Sequence, residues 1–202
     1  MKAKKLVYGV GTNDADYVVV KWETVEVNGV RKRKRVWECP YYATWIGMLM
    51  RCYSDAYQNR KSTYKGCSVC EEWLTFSNFR AWMVQHDWKG RDLDKDLLVE
   101  GNKIYSPETC VFISSMLNKF FIASDASRGK YMLGVSWHKR AGKFKSRCSN
   151  PFLNKQEHLG LFDTELEAHL AWKEKKNELA QRYATKQSDE RVIEALLTRF
   201  KP

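Results

Sequence analysis

Three cations at alternate positions set the chemistry of this chain. In Lys143-Phe144-Lys145-Ser146-Arg147-Cys148 a period of two puts Lys143, Lys145 and Arg147 on one strand face, with Phe144 and Cys148 on the other. The preceding stretch also alternates, Ser136 and His138 against Val135 and Trp137, and Lys139 and Arg140 follow. Ammonium and guanidinium groups on a strand face bind phosphate, and a narrow ribbon fits a major groove and reaches base edges. Ser136, Trp137, His138, Lys139, Arg140, Lys143, Lys145 and Arg147 are therefore candidate contacts to double-stranded DNA. Charged strand positions are also ordinary solvated surface, so the pattern alone leaves two readings.

A second basic run lies earlier. Tyr17 to Val27 is rich in β-branched and aromatic residues, Asn28-Gly29 is a hairpin signal, and Val30 to Trp37 returns as the partner strand. The return strand carries Arg31, Lys32, Arg33, Lys34 and Arg35. Such a block either guards a sheet edge against aggregation or contacts phosphate, and Arg31, Arg33 and Arg35 are candidates for the second role. Cysteines offer different chemistry. Cys67-x-x-Cys70 with Cys52 and Cys110, or with Cys39, would make a tetrahedral thiolate set for zinc, against the alternative of free buried thiols.

Composition narrows the partners. The 202 residues carry a formal net charge of +11, with 44% hydrophobic and 13% aromatic residues, which describes a folded chain suited to a polyanion. No long apolar run or lipidation signal points to a membrane. The opening MKAKKLVYGVG lacks an apolar signal-peptide core, so a cytoplasmic protein is expected, with thiols rather than disulfides.

The elements that must position these groups follow from periodicity. Tyr42, Trp45, Ile46, Leu49, Met50 and Tyr53 form a helical stripe after Pro40. A second helix is expected over residues 71–88, with Trp73, Phe76, Phe79, Trp82 and Met83 inward. A strand (Leu93 to Val99), a turn at Glu100-Gly101-Asn102, a strand ending at Ile113 and a helix from Ser114 to Phe121 come next. Three short strands and an amphipathic helix then span residues 131–180. A last helix after Ser188 carries Val192, Ile193, Leu196, Leu197 and Phe200 on one stripe. That stripe packs back on the body or makes a homodimer contact.

The set YYATWIGMLMRCY, GCSVCEEW, FSNFRAWM, LDKD and GNKIYSPETCVF, with a following Asn, resembles the phage homing-endonuclease branch of the HNH (ββα-metal) nucleases. From residue 131 the resemblance changes. Tyr131, Gly134-Val135, Trp137, Gly142-Lys143, Leu159-Gly160-x-Phe162-Asp163-Thr164 and Glu167-Ala168 are similar to the plant ethylene-response-factor (Apetala-two) DNA-binding domain. Together these imply an α+β chain: a degenerate ββα-metal module with an N-terminal β-hairpin over residues 1–123, then a linker at 124–130. A three-stranded antiparallel sheet packed on one helix follows at 131–186, then a C-terminal helix at 187–202. They also imply a protein of a phage or mobile element in a bacterial cell.

The nuclease resemblance implies a general base and a divalent metal at the end of the first strand. Here that strand reads Leu93-Asp94-Lys95-Asp96, with no His between His86 and His138. Asp94, Lys95, Asp96 and Asn118 would form the centre if it is active, with Mg²⁺ on the carboxylates and Asn118. An ordinary lysine is protonated at neutral pH and a poor base. The absent His favours a DNA-binding protein that acts as a repressor by occupying its site. The alternative is an active Mg²⁺-dependent nicking endonuclease.

Overall fold

The chain is α+β. The computed structural model describes residues 6–121 and 130–201, and the chain divides into two units, Met1–Phe112 and Ile113–Pro202. The linker expected at 124–130 lies, except for Lys130, outside the described residues.

In the first unit, β1 (Val20–Val27) and β2 (Val30–Glu38) form an antiparallel ribbon. Asn28 and Gly29 turn it with φ of 54° and 74°, the left-handed pair that matches strand twist in a two-residue hairpin. Its base is anchored where the Cys39 N–H donates to the Val19 carbonyl at 2.8 Å and Val19 and Val20 pack on the core. Beyond that base nearly every side chain is exposed, on both faces.

Helix α1 (Pro40–Tyr53) starts with proline at a position whose N–H has no helical partner anyway. Tyr42, Trp45 and Leu49 are buried as the stripe predicts, and Met48 and Cys52 join them. The Trp45 indole N–H donates to the Trp73 carbonyl at 2.7 Å, so this buried ring satisfies its polar atom. Gly11 lies against Trp45 and Leu49 so closely that a Cβ would overlap both side chains. Helix α2 (Asp55–Arg60) follows, capped by Ser54.

The helix expected over residues 71–88 is divided: a 3-10 turn at Glu72–Leu74, then α3 (Phe76–Val84). The N-terminal segment causes the break. The Thr12 N–H donates to the Leu74 carbonyl at 2.8 Å, and the Thr12 carbonyl accepts from the Phe76 N–H at 3.0 Å. Asp14 then accepts from the Ser77 N–H at 2.9 Å, supplying the first turn of α3 with the cap that Thr75 does not make.

The strand expected from Leu93 to Val99 shrinks to β4 (Asp92–Asp94). An Asp94 carboxylate oxygen accepts from the Asp96 and Leu97 N–H groups at 3.0 and 2.7 Å, and this local turn competes with the ladder. The return splits in two. β5 (Ile104–Tyr105) runs parallel to β3 (Ser68–Val69), and β6 (Val111–Ile113) pairs with β4.

In the second unit, β7 (Val135–His138), β8 (Lys143–Asn150) and β9 (Lys155–Phe162) form an antiparallel sheet in that order. Helix α5 (Glu165–Ala184) packs on one face. Thr164 and Glu167 close a reciprocal capping box at its start. Cys148 on β8 and Ala168, Leu179 and Ala180 on α5 are buried. Helix α4 (Ser115–Phe121) belongs to this unit: Phe120 meets Tyr183 of α5 and Phe200 at ring distances of 5.0 and 5.5 Å. Helix α6 (Glu190–Arg199), capped by Asp189, packs back through buried Val192 and Leu196, so its stripe is used within the unit.

Candidate nucleic-acid interface

The sheet of the second unit separates its side chains by chemistry. Cross-strand partners share a face, and the pairs Val135–Ser146, Trp137–Phe144 and Ser146–Gly160 belong with buried Ser146 on the α5 side. The opposite face carries Ser136 beside Lys145, His138 beside Lys143, and Arg147 beside His158. Ser149 pairs with Gln156 and Lys145 with Leu161 on the same outer face. Lys139 and Arg140 are exposed in the turn between β7 and β8.

Trp137 stands apart from the other candidates. Its ring meets Phe144 edge-on at 4.9 Å on the α5 side, and it remains 41% exposed at the edge strand. Lys143 is also engaged, with its ammonium 3.0 Å from the exposed Asp163 carboxylate. A register shift lies between Ser146 and Arg147: Ser146 faces Gly160, Arg147 faces His158, and Leu159 has no partner. Such a bulge strengthens local twist. Past the bulge Glu157 pairs with buried Cys148, and its carboxylate is 3.2 Å from Lys175 of α5. The outer face thus gathers cations and neutral polar groups with Leu161, while Glu157 turns inward and the exposed Asp163 carboxylate pairs with Lys143.

Gln156 and His158 of β9, and Ser149 beyond the cationic run of β8, also lie on the outer face and are not among the residues expected from the sequence. Alternation over KQEHLGLF carries a weak signal for Gln156 and His158, but counting by twos through Leu159 assigns both to the wrong side. Arg31, Arg33 and Arg35 lie in the first unit, on one face of the β1–β2 ribbon.

Asp94, Lys95 and Asp96 adjoin in the first unit, whereas Asn118 lies on α4 of the second. Lys95 is only 6% exposed, and its ammonium donates to the Asn102 carbonyl at 2.8 Å and an Asp96 carboxylate oxygen at 3.0 Å. Asn102 ties the loop from the other side, donating to the carbonyls of Lys95 and Ile104 and accepting from the Ile104 N–H. Burial, with the neighbouring Asp96 charge, pushes the Asp94 carboxyl above the ordinary carboxylate range. An ammonium in place of a divalent charge, beside a carboxylate turned to its own main chain, does not fit a Mg²⁺ site. The arrangement holds the loop at 94–104 together.

Cys39, Cys52, Cys67, Cys70 and Cys110 are free thiols. Among the described residues no three His, Cys, Asp or Glu side chains converge as metal ligands. Burial pushes Cys52 and Cys110 up to about 12, with the Cys67 thiol adding to the effect at Cys52, and it raises Cys70 as well. These thiols pack as small apolar groups. Among the described residues, no helix is long and apolar enough to cross a membrane.

No known family model matches the chain, and neither a curated protein nor a solved structure matches it.

Proposed function

We propose that this protein binds double-stranded DNA sequence-specifically through the outer face of β7–β9 and regulates transcription, as a repressor, by occupying its site. The observation that carries the reading is the segregation of the sheet. Lys143, Lys145 and Arg147 share a face with Ser136, His138, Gln156 and His158, while Glu157 turns inward to Lys175. Cations anchor a sheet to phosphates, and Arg147, Gln156 and Ser136 have the donors and acceptors that read base edges. The resemblance to ethylene-response-factor domains points the same way, as does the charge of +11. Such a function belongs in the cytoplasm of a bacterial cell, on phage or mobile-element DNA.

The nuclease resemblance of the first unit is proposed as ancestry, with the loop around Lys95 kept for structure. Selection of binding sites from a random duplex pool, followed by footprinting with and without Mg²⁺, tests the reading. A defined protected site without strand breaks supports a repressor. A Mg²⁺-dependent nick within the footprint makes the protein an endonuclease. Absence of any selected duplex sequence removes the proposal.

A further inference from the structure

Among the described residues, no layer covers the β1–β2 ribbon of the first unit. A two-stranded hairpin is marginal in water unless something packs on it, yet this one extends eight residues from its base with both faces exposed. Its faces differ. Trp22, Thr24 and Glu26 pair with Arg35, Arg33 and Arg31 on one side, whereas Glu23 and Val25 pair with Lys34 and Lys32 on the other. The arginines are thus sorted from the lysines and stand in line, about 7 Å apart by strand geometry.

Two observations separate this from a sheet edge protected by charge. Edge protection asks for cations and is indifferent to which face holds arginine. In addition, Glu26 and Glu23 stand opposite Arg31 and Lys34, but among the described residues the ribbon's only ion pair is Arg35–Glu38, at 2.7 Å. The Arg33 guanidinium lies 5.4 Å from the centre of the Trp22 ring, a cation–π contact in the middle of the row. Planar guanidinium forks on a narrow ribbon match phosphate oxygens and the guanine edge, and a two-stranded ribbon fits a major groove.

We propose that the β1–β2 ribbon is a second duplex-DNA contact, made by the Arg31, Arg33 and Arg35 face and separate from the sheet of the second unit. The inference rests on the reading of the chain as a duplex-DNA-binding protein. It adds that recognition is bipartite, one contact from each unit.

The test uses the full chain, a long mixed-sequence duplex as probe, and salt titration between about 50 and 200 mM, where each phosphate contact adds about 0.9 to the log–log slope. Three variants are compared: Arg31→Ser/Arg33→Ser/Arg35→Ser, Lys32→Ser/Lys34→Ser, and Lys145→Ser/Arg147→Ser. The triple arginine variant is expected to lower the slope by about 2–3 and weaken binding at least tenfold, with the lysine variant losing less. Unchanged thermal unfolding keeps a binding loss from being read as misfolding. An arginine variant that folds and keeps the wild-type slope overturns the ribbon contact. So does a lysine variant that loses as much, or stronger competition by structured RNA than by duplex DNA. If only the sheet variant weakens binding, the ribbon inference fails and the proposed function stands. If only the ribbon variant does, the sheet reading fails and the ribbon contact stands.

Discussion

The Gly134 main chain lies directly against the Trp172 indole, closely enough that a Cβ on Gly134 would fall inside the ring's van der Waals surface. Gly134 also has φ of 79°, where an L side chain is strained. The contact holds the start of β7 to α5 and thereby sets the edge of the candidate interface. Gly134→Ala is expected to cost about 2–5 kcal/mol, the sum of left-handed strain and overpacking. Denaturant unfolding would show the loss, with DNA affinity falling in the same variant. Gly142→Ala, strained but in open space, is expected to cost less.

Arg147 is the outer-face residue with the strongest claim to read a base. Arg147→Ala is expected to cost about 1–3 kcal/mol of discrimination at one base pair, the worth of a bidentate contact to guanine. Competition between single-base variants of the selected site measures this. Lys145→Ala is expected to weaken all sequences evenly and to flatten the salt dependence.

Lys176 predicts a pH dependence. Its ammonium donates to the Phe120 carbonyl at 2.7 Å and sits 3.7 Å from the Phe120 ring centre, yet burial holds its pKa down to about 8, from an ordinary 10.5. Below pH 8 the lysine is protonated in folded and unfolded chains alike, and the full cost of the buried charge is present. Between about 8 and 10.5 the unfolded chain holds the extra proton, so stability rises with pH, by at most about 1.4 kcal/mol per unit. Cys52 and Cys110 act in the opposite sense above the ordinary thiol range, because their unfolded forms ionise first. The alkaline gain of wild type over Lys176→Met, read from thermal unfolding at pH 7 to 9, isolates the lysine.

Lys95 is expected to matter for folding. Lys95→Met leaves the Asn102 carbonyl and Asp96 without their shared donor, at a cost of about 1–3 kcal/mol in unfolding experiments. Duplex binding by the variant is expected to persist at temperatures where it remains folded.

Local chemistry was the legible part of the sequence. Asn28-Gly29 declared its hairpin, Tyr42, Trp45 and Leu49 their helix, and Lys143, Lys145 and Arg147 their common face, because turn preference and period act over a few residues. The breaks came from groups distant in the chain. Nothing near Thr75 announces that Thr12 will occupy its main chain, and the period through residues 71–88 reads as one helix without that contact. The strand expected from Leu93 failed for a nearer reason, the Asp94 turn, which a stricter weighting of Asp as a turn former would have caught. Candidate residues on β9 were hidden because one unpaired residue alters the count.

That unpaired residue, Leu159, acts on the sheet as a change of parity. Were the strand regular from Gly160 onward, Leu159 would pair with Arg147, Glu157 would come out opposite Ser149 on the same face, and His158 would turn under α5 opposite Cys148. A carboxylate would then sit among the cations. One extra position in β9 therefore keeps the Glu157 carboxylate off the cationic face. A single deletion there would carry Lys155 and Glu157 outward and Gln156 and His158 inward together, so the parity of one residue decides which β9 side chains this surface shows.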